Sequence, residues 1–266
     1  MTARLPTLFV SHGGGPWPFM DDRRTQYALT AAAFAGLPER LAERPKAVLV
    51  ISGHWEAPEF TVATATHPPM VYDYYGFPEH TYRIRYPAPG SPDLARRVKA
   101  LLEATGLACA EDSGRGFDHG TFVPLGLMYP DADVPIVQLS LKASYDPSEH
   151  VRAGQAIAPL RDEGVLIVGS GLSYHNMRGF GRPEAGPVSD AFEAWLNDTV
   201  SLTDAAARND RLNNWEQAPA ARLAHPQEDH LLPLMVAAGA AGSDTGRRLF
   251  VDRVMNVAMA SYQFGG

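Results

Sequence analysis

Four runs of nearly uninterrupted Val, Ile and Leu stand out along the chain: "LPTLFVS" (5–11), "KAVLVIS" (46–52), "VPIVQLS" (134–140) and "GVLIVGS" (164–170). A strand with one wet face alternates apolar and polar residues, whereas an unbroken apolar run suits a strand covered by helices on both faces. Between these runs the apolar positions recur at helical spacing. Segment 91–106 ("SPDLARRVKALLEATG") offers Ser91 as N-cap, Pro92 at the first helical position and Gly106 past the end. Segments 148–164 and 189–202 share that amphipathic spacing, and the Ala-rich stretches 31–36 and 237–242 sit in helical patterns. Strands alternating with helices predict an α/β fold with a central mixed, largely parallel sheet flanked by helices. With no internal repeat and no low-complexity linker, residues 1–266 read as a single domain.

One stretch breaks the rhythm. Residues 57–90 are rich in Pro, Tyr and His and read as a long excursion, with a short strand expected at 81–86. Long loops inside compact domains often carry function, and this one is aromatic enough to wall a pocket.

Composition narrows the class. The chain has 266 residues, 45% of them hydrophobic, enough for a sizeable core. Net charge is -7 and no basic run of five or more occurs, so nucleic acid is not an expected partner. No apolar stretch approaches the roughly 20 residues of a spanning helix, so no membrane partner is expected. The apolar stretch before Gly13 is too short for a signal peptide. The single cysteine, Cys109, excludes an internal disulfide and a Cys-rich zinc finger, and reads as a small apolar core residue. These features predict a cytoplasmic globular protein.

The chemistry lies in the histidines. Three of the strand runs each deliver Ser, Gly and a histidine at their exits: "FVSHGGG" with His12, "ISGHWE" with His54, and "VGSGLSYHN" with His175. In α/β sheets, ligands bind beyond the carboxyl ends of the strands. His119 lies in "FDHGTFVPL", a loop entering a helix, and "HPQEDHLLPL" places His225 before a helix start and His230 in its first turn. A lone histidine after a strand is usually a hydrogen-bonded structural residue. Several neutral imidazoles gathered together point instead to a divalent metal and to proton transfer beside it. No HExxH motif occurs, so the ligands must come from distant segments: two or three histidines, with room for one carboxylate and open positions for substrate. Such a set suits non-haem Fe(II) activating O2 and also zinc-dependent hydrolysis, and ligand type alone does not separate them. The Gly13–Gly15 run lacks the Lys-Ser/Thr of a phosphate loop.

Five motifs in order, "SHGGGPW", "ISGHWE", "DHGTFVPL", "VGSGLSYHN" and "HPQEDHLLPL", with a terminal "SYQFG", resemble the class III extradiol ring-cleavage dioxygenases, in the 4,5-DOPA dioxygenase branch. The resemblance runs from about residue 5 to the C-terminus. It implies a catalytic α/β domain holding one divalent metal, with Fe(II) expected for turnover and zinc the alternative occupant of the isolated protein. It also implies His12, His54 and His230 as the metal ligands, with Glu228 and Asp229 competing for the third place. By the same resemblance His175 is the acid/base and His119 the hydrogen-bond partner of substrate or oxygen, in roles that can be exchanged. The implied partners are a small DOPA-like catechol and O2, and the implied product is a muconic semialdehyde. Tyr262, in the "SYQFG" tail, is a candidate substrate contact. Trp17 and Trp55 flank ligand motifs and read first as packing residues. His67, His80, His150 and Arg85 are expected to face solvent or loops, and His225 to orient the His230 helix through a carboxylate. Two alternatives share these residues: a Memo-like non-redox binding module and a zinc hydrolase.

Overall fold

All four apolar runs become strands, and they lie side by side. A computed structural model describes residues 4–266. Its strands are β1 (Thr7–Ser11), β2 (Ala47–Ala57), β3 (Phe60–Ala63), β4 (Cys109–Asp112), β5 (Ile136–Lys142), β6 (Val165–Gly171), β7 (Gly246–Val254) and β8 (Val257–Phe264). They form one sheet in the order β4-β3-β5-β2-β6-β1-β8-β7. The central four, β5, β2, β6 and β1, are mutually parallel. β8 runs antiparallel to β1, β7 to β8, and β3 to β5, which makes the sheet mixed. β1 and β6 are buried at every position, as the unbroken apolar runs predicted.

The helices are α1 (Asp21–Gln26), α2 (Ala28–Ala35), α3 (Pro92–Glu103), α4 (His119–Met128), α5 (Pro147–Ile157), α6 (Ala185–Val200), α7 (Ala205–Asn213), α8 (Ala221–Ala224) and α9 (Leu232–Ala241). α3 begins as its sequence indicates: the Ser91 side chain accepts from Leu94 N, and Gly106 takes a φ of +78° beyond the end. The expected strand at 81–86 does not form. Glu79–Arg83 makes a 3-10 turn instead. Pro78 starts that turn by accepting from both Thr81 N and Thr81 Oγ1, and Pro87 and Pro89 withhold the donors a ladder would need.

α9 is buried on all sides, between α5 and the strands β1, β2 and β6. Its packing on α5 is backbone to backbone: a Cβ on Gly239 would stand 2.1 Å from Val151 O, and one on Gly154 2.1 Å from Val236 O. Its C-terminal carbonyls are taken by two buried guanidinium groups. Arg208 donates to Ala238 O and Gly242 O (2.9 and 2.8 Å), and Arg161 to Ala240 O and Ala241 O (3.1 and 2.9 Å). Cations at a helix C-terminus satisfy orphan carbonyls and oppose the negative end of the dipole. Among the described residues no helix is long and apolar enough to cross a membrane.

His150 corrects an expectation, because it is fully buried and not in solvent. Its Nδ1 donates to Asp146 O (2.7 Å), its Nε2 accepts from Lys142 N (3.2 Å), and its ring packs on Phe60. Burial lowers its pKa to about 4, whereas an unfolded histidine titrates near 6.5. Below about 6.5 the unfolded chain therefore binds a proton that the folded chain refuses, and stability falls with acidification. The loss at this site should reach on the order of 2 kcal/mol by about pH 5. Urea midpoints taken between pH 7 and pH 5 should fall more steeply for the native chain than for His150→Gln. Parallel slopes would show that His150 contributes nothing to the acid sensitivity.

Candidate metal centre

The parallel strands place their carboxyl ends along one edge, and the histidines gather there. His12 directly follows β1, where its N–H donates to Gly171 O (3.0 Å). His54 lies inside β2 and not beyond it: the β2–β5 register shifts between Ile51 and Glu56, and this irregular stretch carries His54. His119 is the first residue of α4, whose N-cap Asp118 accepts from Thr121 N (3.0 Å). His175 stands beyond the end of β6. His230 occupies the turn before α9 and not its first turn. A Cβ on Gly171 would lie 2.0 Å from His230 O, so glycine there lets the His230 backbone rest on the exit of β6.

The hydrogen bonds fix which nitrogen of each ring carries the proton. Ser170 Oγ donates to Gly120 O (2.5 Å), so it accepts from His12 Nδ1 at 3.0 Å. His230 Nδ1 lies 2.6 Å from Asp229 Oδ2, and His54 Nδ1 lies 3.3 Å from Asp73 Oδ2. A carboxylate only accepts, so both nitrogens are protonated. A neutral imidazole holds one proton, and all three Nε2 atoms therefore present lone pairs. They present them to each other. His54 Nε2 stands 3.0 Å from His12 Nε2 and 3.0 Å from His230 Nε2. Burial holds the rings neutral, pushing His12 and His54 well below the ordinary value and His230 to about 4.

Three converging lone pairs repel unless a cation lies among them. With metal–imidazole bonds of about 2.0–2.1 Å, ligands at right angles stand about 2.9–3.0 Å apart. Both His54 spacings therefore fit neighbouring ligands of one metal ion, and all three ligand atoms lie within 4.8 Å of one another. His12 and His230 are buried, while the His54 and His175 side chains keep 20% and 19% exposure and mark the open side. The neighbouring clusters His54–Asp73–His119 and His175–Asp229–His230 also bring three groups together. Each of them contains a carboxylate facing imidazole nitrogens, so hydrogen bonding accounts for them without a metal.

Around this set stands a second layer. His119 Nδ1 is 2.9 Å from both Asp73 oxygens, and His119 N donates to the same carboxylate (3.1 Å). Burial opposes ionisation of Asp73, yet the His119 hydrogen bonds bring its pKa below the usual value. His175 stacks on His230 with ring centroids 3.5 Å apart, and its Nδ1 faces Asp229 Oδ1 at 3.5 Å. Burial would raise the Asp229 carboxyl, but the two facing imidazoles hold it well below the carboxylate range. The carboxylates beside His230 are thus engaged elsewhere: Asp229 orients His230, and Glu228 pairs with Arg222 at 2.6 Å. Arg115 pairs with the buried Asp118, bonds His54 O (3.3 Å) and stacks over Trp55.

Two further expectations change. The Tyr262 ring stacks on Phe9 and its hydroxyl donates to Glu193 (3.2 Å), so it serves the core under α6 instead of the pocket. His225 donates from Nε2 to Ser173 O (3.1 Å) and not to a carboxylate. Trp17 packs as expected, fully buried and stacked on Tyr27, and its indole also donates to His12 O (2.7 Å). His67, His80 and Arg85 are exposed, as expected. Asp73 was missed altogether, because nothing in its "YDYYGFP" surroundings signals a partner 46 residues away.

Residues 6–263 match the family described as the catalytic LigB subunit of aromatic ring-opening dioxygenase. The chain belongs to the LigB family. A 4,5-DOPA dioxygenase extradiol of Beta vulgaris is 41% identical over 247 residues, covering 91% of this chain and 89% of that one. The dioxygenase tasH of Hapsidospora irregularis is 38% identical over 281 residues, covering 98% and 86%. The crystal structure of an uncharacterized protein from Escherichia coli K12 aligns with a TM-score of 0.79 at 31% identity, covering 98% and 100%. This LigB chain is accordingly an extradiol ring-cleavage dioxygenase, metal-dependent like its family. Its reactants are an aromatic compound and O2.

Carboxylates that orient ligand histidines typically change metal affinity by about 10–100-fold when removed. Asp73→Asn should weaken metal binding on that scale, because the amide NH2 would face an N–H donor of His54 or His119 where a carboxylate oxygen now accepts. Metal titration of the apo variant checks this, and unaltered affinity would remove Asp73 from the centre.

Proposed function

We propose that the chain works as one catalytic domain that holds a single divalent metal on His12, His54 and His230, with Fe(II) as the metal of turnover. The observation that carries this reading is the convergence of three Nε2 lone pairs whose tautomers are each set from behind. When bound, the metal supplies a Lewis-acidic, redox-active meeting point for the two reactants.

The substrate in this reading is a small substituted catechol of the DOPA type, in keeping with the names of the relatives. Ring opening breaks the carbon–carbon bond beside the two hydroxyls, and both oxygen atoms enter a muconic semialdehyde. The ring itself supplies the electrons, so no external reductant is required. Binding through both ring oxygens requires a phenolic proton to leave. His175 serves that transfer in this reading: it is partly exposed, and its Nδ1 faces the Asp229 carboxylate at 3.5 Å. His119 is held more rigidly. With Nδ1–H committed to Asp73, its Nε2 offers a fixed acceptor to substrate or oxygen. Tyr74 lies 5.9 Å from the His119 ring and 6.4 Å from Phe122, an aromatic wall suited to a flat ring.

Anaerobic loading with Fe(II), followed by a panel of catechols with oxygen-uptake and absorbance readings, tests the reaction. One O2 consumed per catechol with a semialdehyde chromophore is the expected result, and no uptake with any catechol would return the site to a hydrolytic or binding role. Metal content separates ligands from the acid/base. His12→Ala, His54→Ala and His230→Ala should lose metal, whereas His175→Ala should keep it and lose turnover by roughly 10²–10⁴-fold. Loss of metal from His175→Ala with retention in His230→Ala would reverse the two roles.

A further inference from the structure

The loops that carry His175 and His230 are fastened to each other. Leu172 N donates to His230 O (3.0 Å), His175 N to Ala224 O (2.9 Å) and Asn176 Nδ2 to Leu223 O (2.9 Å). At its other end the His175 turn is tied to the sheet: Ser173 N donates to Ser11 Oγ (3.1 Å), and Ser173 Oγ accepts from Ala260 N (2.8 Å). Between these anchors lies the Ser173 carbonyl, whose peptide plane leads into Tyr174. It accepts from His225 Nε2 at 3.1 Å.

His225 is an expensive choice for a core position. Because a carbonyl only accepts, the proton is on Nε2 and Nδ1 is a bare lone pair. That Nδ1 is buried without a hydrogen-bond partner, in a box whose walls include Phe192 and Trp215, with ring centroids 5.2 and 6.0 Å away. An apolar ring or a leucine would fill such a box without burying an unpaired acceptor. What neither can do is donate to Ser173 O.

We propose that His225 is a positioning residue for His175, setting the 173–175 turn so that the His175 ring lies over His230 and against Asp229. This rests on the acid/base role given to His175 above. A displacement of about 1 Å in a proton-transfer group costs on the order of 10²-fold in rate. Loss of the Ser173 bond therefore appears in kcat and leaves metal and catechol binding untouched.

Two variants of similar polarity decide it. The amide nitrogen of Gln reaches the place of Nε2, whereas that of Asn matches Nδ1 and falls short of Ser173 O. His225→Gln should keep kcat within about threefold, while His225→Asn should lose about 10–100-fold with KM and iron content unchanged. Hydrogen exchange on the metal-loaded protein gives a second readout: peptides covering residues 172–176 should exchange faster in the Asn variant alone. Equal effects of the two variants in both readouts, or loss of metal from His225→Asn, would overturn the proposal. Failure of both variants to fold would also overturn it, by assigning His225 to the core. If the native enzyme consumes no oxygen with any catechol, the functional reading fails separately, and the exchange comparison still decides the positioning role.

Discussion

Three imidazole lone pairs aimed at one point are the constraint on which the rest of the structure depends. Left to themselves, neutral rings would rotate, change tautomer, or take a proton and spread apart. Each is prevented from doing so by an acceptor behind it: Ser170 for His12, Asp73 for His54 and Asp229 for His230. These acceptors come from β6, the long excursion and the turn before α9, so the centre exists only when all three segments are in place. Burial reinforces the arrangement by keeping the rings unprotonated. The same three features, fixed tautomer, neutral state and short spacing, are what a divalent cation requires.

The two carboxylates of this outer layer each serve two imidazoles. Asp73 links His54 with His119, and Asp229 links His230 with His175. A shift in either carboxylate would move both of its imidazoles together. The helix α9 gives the arrangement its rigidity on one side. Packed backbone to backbone on α5 and closed at its far end by Arg161 and Arg208, it presents the His230 turn to the sheet with little freedom.

Much of the fold was legible because burial on both faces writes itself into composition. The runs at 5–11, 46–52, 134–140 and 164–170 read as interior strands, and they are the four parallel strands at the centre. β3, β4, β7 and β8 were not read, because they are short or mix polar with apolar residues and are held by their neighbours in the sheet. The excursion misled at 81–86, where a short strand is expected but flanking prolines produce a turn. His150 was misjudged for a related reason: its two backbone partners, Asp146 O and Lys142 N, come together only when α5 folds against the end of β5.

By itself the sequence determined the α/β class, the strands that exit together, and the set of histidines delivered there, since all of these depend on local pattern and motif order. Only the tertiary structure decided that β2 keeps its pairing past His54, that Asp73 lies behind two imidazoles, and that Tyr262 and His225 turn to the core. These outcomes rest on contacts between residues far apart in the chain. Tyr262 meets Glu193 across 69 residues, and His54 Nε2 meets His230 Nε2 across 176. Contacts of that kind act through space at about 3 Å and leave no periodic trace along the chain.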